Sequence, residues 1–386
     1  MNRVFFHVQH LLGIGHLRRA ATLARALSAG GFDVLLVSGG APTAGLALGA
    51  ARFHQLPPLR AMDHGLRDLC RLDGTPIDQA FCAERTTAVL DLWRAESADI
   101  LITEQFPFGR TRLRFELLPL LEAAKARQPR PLIVSSVRDV VRRTASPQRV
   151  AEAVEIFRQF FDAVLIHADP ALVSFGKSFA GWDRIKARAF YTGYVAEHDL
   201  GHRSKSVVGA GEVIVSAGGG AVGAPLLQAA LAARPQTPLA DRPWRLLVGT
   251  NLPDAQRAAL EQAGNAAVIV ESARPDFTTL LHNAALSISQ AGYNTVIETL
   301  CCADRAVLVP FATDRETEQA DRAQLLADRG MAAVVPPGTL SPQILADAVR
   351  RALAGPSLRS FPPCNAAGGP ATAALLHRLH GERRDA

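Results

Sequence analysis

Residues 3–40 read RVFFHVQHLLGIGHLRRAATLARALSAGGFDVLLVSGG, and this stretch decides the fold. Arg3–Gln9 is a mostly apolar run of the length and make-up of a first, largely buried strand. The run breaks at the loop His10-Leu11-Leu12-Gly13-Ile14-Gly15-His16. Leu17, Ala20, Ala21, Ala24 and Leu27 then recur with the 3.6 period of a buried helix face. Gly30-Gly31 stops that helix. Phe32–Ser38 is a second apolar run, closed by Gly39-Gly40. Strand, helix and strand in this succession predict a βαβ unit and a parallel sheet.

The same alternation continues outward. In the first half, Asp99–Thr103, Pro131–Ser136 and Ala163–His167 are further strand candidates, with a helical pattern over Phe81–Glu96. Residues 41–80 are poorly patterned and read as loops with short elements. A polar stretch over Glu197–Ser206, followed by Gly209 and Gly211, suggests a boundary. Beyond it lie strand candidates at Val213–Ala217, Arg245–Gly249, Ala267–Glu271, Ala285–Ser289, Ala306–Pro310 and Ala332–Val335. The predicted fold is α/β: two Rossmann-like, doubly wound domains facing each other across a cleft. Residues 1–200 form the first domain and 206–365 the second, and 366–386 are a final helix and tail. In such sheets ligands sit beyond the carboxyl ends of the strands.

Composition narrows the classes. The chain has 386 residues, 48% of them hydrophobic and 20% charged, which supports large cores and excludes a disordered chain. Five cysteines, scattered and without a CxxC pair, exclude a disulfide framework and a zinc site and suit reduced thiols. The N-terminus lacks a secretory pattern and no apolar run is long enough to span a bilayer, so a cytoplasmic protein is expected. Lys and Arg exceed Asp and Glu, 42 to 36, partly through the clusters Arg18-Arg19, Arg110 to Arg114 and Arg142-Arg143. These suit a mildly basic surface, with weak peripheral membrane association as an open alternative. No aromatics interleave with the basic runs, so nucleic acid is not an expected partner.

Four segments carry the chemistry. Gly13-Ile14-Gly15-His16 ends a strand and opens a helix, but the last glycine of a dinucleotide fingerprint is replaced by Arg18. NAD is therefore disfavoured, and the loop instead delivers His16 as a candidate general base, with His10, Gly13 and Gly15 on the acceptor side. Val213–Ala217 runs into Gly218-Gly219-Gly220, whose amides can cradle a diphosphate. The third segment, Gln290–Glu298, can cap a helix with Asn294 while Gly292 admits a ligand and Glu298 lies one turn on. In the fourth, Pro310 ends a strand and a helix follows with Glu318, Gln319 and Arg322. Glu104 follows the strand Asp99–Thr103 as a reserve base, or as the partner of an arginine such as Arg110 or Arg112. No DxD carboxylate pair marks a metal site, and no cofactor is expected.

These segments resemble the GT-B glycosyltransferases of the MurG-like, family 28 branch. The resemblance rests on the Gly218–Gly220 turn, on Gln290–Glu298, on Val309-Pro310-Phe311 with its Gln-bearing helix, and on Gly13–His16. It implies that Glu298 binds the ribose hydroxyls of a nucleotide-sugar donor and Gln319 its sugar. Gly218, Gly219, Gly292, Asn294 and Thr295 would hold the diphosphate, with Phe277 flanking the base. The implied activity is metal-independent, inverting transfer from a donor, UDP-linked for preference, to an unidentified acceptor hydroxyl. The sequence departs from the family pattern at Glu318, Arg322 and the missing doubled glycine before His16. Gly-x-Gly-His-Leu-Arg-Arg is also similar to a nucleotide-sugar hydrolase of the same fold, so a hydrolase, or a non-catalytic nucleotide-sugar binding protein, stays open.

Overall fold

The computed structural model describes residues 1–384, except 12, 63–67, 143–145, 198–199, 201–204, 219–222, 250–251 and 314–316. The chain divides into two compact units. Unit 1 is Met1–Glu197 with Asn365–Ala386, and unit 2 is His198–Cys364.

Unit 1 runs β1 (Arg3–Val8), α1 (Gly15–Ala29), β2 (Asp33–Ser38), β3 (Arg52–Gln55), β4 (Arg60–Ala61), β5 (Leu69–Cys70), α2 (Gln79–Glu96), β6 (Ile100–Glu104), α3 (Arg114–Ala126), β7 (Leu132–Arg138), α4 (Pro147–Phe160), β8 (Ala163–His167) and β9 (Ala189–Tyr191). Seven of these strands form one parallel sheet in the order β3-β2-β1-β6-β7-β8-β9, and β4 and β5 make a small hairpin. The two-residue period of a strand sends Val4, Phe6 and Val8 to one face, in a core with Leu17, Ala20, Leu23 and Leu27 of α1. Phe5 faces the other way, its ring edge-on to Trp93 of α2 at 5.4 Å. Helices thus cover both faces, which is why the strands read as continuous apolar runs.

Unit 2 runs β10 (Val213–Ser216), α5 (Ala224–Ala233), β11 (Trp244–Val248), α6 (Asp254–Gln262), β12 (Val268–Ser272), α7 (Phe277–Asn283), β13 (Leu286–Ser289), α8 (Tyr293–Cys302), β14 (Ala306–Leu308), α9 (Glu318–Ala327), β15 (Ala333–Val334) and α10 (Pro342–Ala354). Its parallel sheet has the order β12-β11-β10-β13-β14-β15. Val213 and Val215 enter a core with α5 and α10, while Ile214 packs on Leu280 of α7 and Ala284 just after it.

The last helix, α11 (Gly368–Arg384), belongs to unit 1, not to a separate tail segment as the sequence reading had it. Two glycines set its place. A Cβ on Gly369 would stand 2.7 Å from the Cβ of Ala26, and one on Gly30 equally close to that of Ala373. The backbones of α1 and α11 therefore approach closely, and Ala373 and Leu376 complete the core under α1.

Candidate functional site

In each unit the chain leaves the first strand on one side, then returns to pair with its other side. The switch points lie between β1 and β6 in unit 1 and between β10 and β13 in unit 2. Loops beyond the carboxyl ends of these strand pairs cannot be bridged by a crossover, so they leave a crevice in which ligands bind.

In unit 1, His16 stands in the first turn of α1 and Glu104 is the last residue of β6. His16 Nδ1 lies 2.9 Å from Glu104 Oε1, and its side chain is 11% exposed while that of Glu104 is fully buried. Arg19, one turn along α1, also bonds Glu104 Oε1. Ser136 Oγ on β7 donates to Glu104 Oε2 at 2.9 Å and lies 3.0 Å from His167 Nε2 on β8. His167 Nδ1 in turn meets Thr192 Oγ1 at 2.8 Å. Burial and the charges of Arg138, Arg110 and Arg19 hold His16 well below the ordinary imidazole range. It is neutral near pH 7, the form that accepts a proton.

This geometry corrects several expectations. Glu104 is not a base facing an acceptor, because its carboxylate is enclosed and shared among His16, Arg19 and Ser136. Its arginine partner is Arg19, while Arg110 turns its Nε to the Gln9 carbonyl. Arg19 is not part of a basic surface, being 1% exposed. Gly15 leaves room for the Arg138 guanidinium, 3.1 Å from where a Cβ would stand, whereas the space around Gly13 is open. His10 is buried against Gly40, too enclosed for an acceptor contact as it stands. Burial, then Arg110, lower it to about 4; the Ala41 backbone tempers this without a hydrogen bond of normal geometry. The loop after β6 holds two non-glycine residues in the left-handed region, Gln105 (φ 67°) and Arg110 (φ 58°). Such strain is concentrated at functional loops.

Behind this loop lies a second buried cluster. Arg85 on α2 forms a two-pronged pair with Glu116 on α3, at 2.7 and 2.8 Å, and His7 Nε2 stands 3.3 Å from the same carboxylate. Burial pushes Glu116 up, but Arg85 and His7 outweigh it and hold the carboxyl at about 2.

In unit 2, α8 starts where β13 ends. Gly292 caps it with extended backbone and without a side-chain bond, so Asn294 is not the cap but a residue of the first turn, beside Thr295. Gly218, at the end of β10, adopts φ +68°. Gly219 lies outside the described residues. Gln319 and Arg322, one turn apart on α9, grip the two sides of the approach to α8. Gln319 Oε1 accepts from the amides of Ala291 and Phe311, both at 3.1 Å, and Arg322 donates to the Ala291 carbonyl at 2.7 Å. Gln319 thus braces the loop with its carbonyl, and only its amide group can turn to a sugar. Glu298 is half-buried in the second turn of α8. Burial, followed by the charge of Glu298, raises the Cys302 thiol to about 12. Phe277 opens α7 and packs on the Ile214–Leu280 cluster rather than standing in a loop.

A cavity of about 490 Å³ adjoins this crevice, lined by Gln228, Gln256, Gln290, Pro310 and Phe311 among others. Another of about 430 Å³ opens near Ala306 and Ala333, at the strands' opposite ends and away from the switch point. Among the described residues no group of His, Cys, Asp and Glu could hold a metal, and no helix is long and apolar enough to cross a membrane. None of the five cysteines is in a disulfide, and the sulfurs of Cys301 and Cys364 are 2.7 Å apart.

Sequence reasoning missed Arg19, Arg85, Ser136, His167 and the bracing role of Arg322. A signal existed for one of them: Phe81, Arg85, Val89 and Trp93 share the buried face of α2 at four-residue spacing, so a charge there had to be paired. Ser136 and His167 carry no such mark.

Comparison with known structures defines the class. The calicheamicin glycosyltransferase CalG4 aligns with a TM-score of 0.62 and 14% identity, over 100% of this chain and 98% of its own. MurG of Acinetobacter baumannii gives 0.59 and 17%, over 98% and 100%. The spinosyn rhamnosyltransferase SpnG, solved with thymidine diphosphate, gives 0.58 and 17%, over 99% and 96%. The fold is GT-B, and the chain is a glycosyltransferase. Residues 214–366, most of unit 2, match the glycosyltransferase family 28 C-terminal domain. No curated protein sequence matches the chain.

Proposed function

We propose that the protein transfers a sugar, with inversion and without a metal, from a nucleotide diphosphate sugar to an acceptor hydroxyl, a UDP-linked donor being preferred. The observation that carries the reading is the His16–Glu104 pair at the β1/β6 switch point. Glu104 accepts a hydrogen bond from Nδ1–H and so fixes the tautomer, leaving Nε2 to accept the acceptor's hydroxyl proton. The acceptor oxygen attacks the anomeric carbon as the bond to the diphosphate breaks, and a single displacement inverts that centre. The departing diphosphate takes up the electron pair. Its charge is met by the amide-rich first turn of α8, which takes the place of a metal. Support for the donor class comes from the family 28 match and from the thymidine diphosphate in the SpnG structure. Glu298 would accept from ribose hydroxyls and Phe277 would flank the base.

The test is a panel of UDP-, TDP- and GDP-sugars followed by calorimetry and product detection, with and without candidate acceptors. Glu298→Ala should weaken donor binding at least tenfold, about 1.4 kcal/mol. His16→Ala should lower kcat by about a hundredfold or more at unchanged donor affinity. Free sugar released without acceptor would make the protein a hydrolase, and no donor bound at millimolar concentration would end the reading.

A further inference from the structure

We propose that Ser136 and His167 are positioning residues for the His16–Glu104 pair, acting through the far oxygen of Glu104 without touching substrate. The inference rests on the reading of His16 as the base.

Hydrogen-bond directions along the chain are fixed by the donors available. Glu104 Oε1 already accepts from His16 and Arg19, and a buried carboxylate needs a donor on its other oxygen. Ser136 has one proton and gives it to Oε2 at 2.9 Å. Its oxygen must then accept, so His167 carries its proton on Nε2, 3.0 Å away. His167 Nδ1 is left as an acceptor for the Thr192 hydroxyl at 2.8 Å, nearer than that hydroxyl's other acceptors, the Gly193 carbonyl at 3.2 Å and the Ile166 carbonyl at 3.5 Å. Burial, then the charge of Arg19, hold His167 neutral. Each donor in the row Thr192, His167, Ser136 therefore points toward Glu104. Aligned donors polarise one another, most strongly where water is excluded, and all three side chains are buried. The row holds the Glu104 carboxylate aimed, and through it keeps His16 in the tautomer whose Nε2 is open.

The groups facing the pair are Arg19 on α1, Arg138 at the end of β7, and Arg110 and His10 on the adjoining loops. All four bear or can bear positive charge, so an ionised Glu104 is the counterweight that makes an imidazolium tolerable during the reaction. A scaffold made only for folding would need the atoms of this row but not their direction.

The experiment has two arms. In the first, kcat and donor KM are measured against pH for the full-length protein with Ser136→Ala, Ser136→Thr, His167→Phe and His167→Gln, the last keeping a donor where Nε2 stood. Ser136→Ala and His167→Phe should lower kcat about ten- to a hundredfold, leave donor KM within about twofold, and move the acid limb of kcat upward in pH. Ser136→Thr and His167→Gln should restore most of the loss. A folded Ser136→Ala protein with wild-type kcat and an unmoved acid limb overturns the inference. If His16→Ala is itself near wild type, the base falls first; if His16→Ala is inactive while Ser136→Ala is not, only this inference falls. In the second arm, ¹⁵N-histidine spectra of the wild-type protein report tautomers and require no variant to fold. His16 should carry its proton on Nδ1 and His167 on Nε2, and the reverse assignment at His167 refutes the row.

Discussion

Acidification should destabilise unit 1 in a way that a single residue can expose. His10 is lowered from 6.5 to about 4, burial being the largest cause and Arg110 the next. Between those two pH values the unfolded chain binds a proton that the folded state refuses, so stability rises with pH and is lost as pH falls from 6.5 toward 4. At one pKa unit per 1.36 kcal/mol, the full effect is about 3 kcal/mol, and about 2 kcal/mol of it is already gone at pH 5. His16 and His167 are displaced in the same direction, each with burial as the first cause, and add to the loss. The assay is urea denaturation at pH 8 and pH 5, followed by fluorescence in a Trp244→Phe background. Trp93 and Trp182 then report on unit 1 alone. In His10→Phe the difference between the two pH values should shrink by about 2 kcal/mol, with the protein folded at both. Equal acid losses in variant and parent would mean that His10 is not held neutral in the fold, and the reasoning fails.

Other outcomes follow from the same geometry. Arg322→Ala removes the guanidinium from the Ala291 carbonyl and should cost about 1.5–3 kcal/mol; calorimetry should also show weaker donor binding, and unchanged binding would mean that α9 does not set the start of α8. Because the first turn of α8 is assigned the diphosphate charge, EDTA should leave turnover intact; a loss restored by Mg²⁺ would contradict that assignment. Gly369→Leu would drive a side chain into Ala26 and should cost about 1–3 kcal/mol, and an unchanged Tm would show that α11 can shift away from α1.

How much of this was legible in the sequence depends on whether periodicity recorded it. All six strands of unit 2 were placed to within two residues, because each is a short apolar run between polar helices. In unit 1, β9 escaped notice, since Ala189–Tyr191 is a half-buried edge too short to form a pattern. The early helices α3 and α4 were also unread, α3 containing Pro119 in its interior. Of the candidate site, His16, Glu104 and Gln319 were marked by loop position and by resemblance, but their partners were not. The Glu104–His16 contact spans 88 positions, and the Gln319 carbonyl closes a loop that only the fold brings near. A hydrogen-bond partner on a neighbouring strand leaves no periodic trace, so Ser136 and His167 look like ordinary strand residues.

The return of α11 to unit 1 sets an order of events during synthesis. The first 197 residues leave the ribosome early, yet the underside of α1 stays uncovered until Ala373 and Leu376 have emerged. Unit 2 is translated in the interval, which at bacterial and eukaryotic rates lasts about 10 to 30 seconds. The half of the enzyme that is begun first is therefore finished last, and it exposes a strip of greasy helix for the whole of that delay.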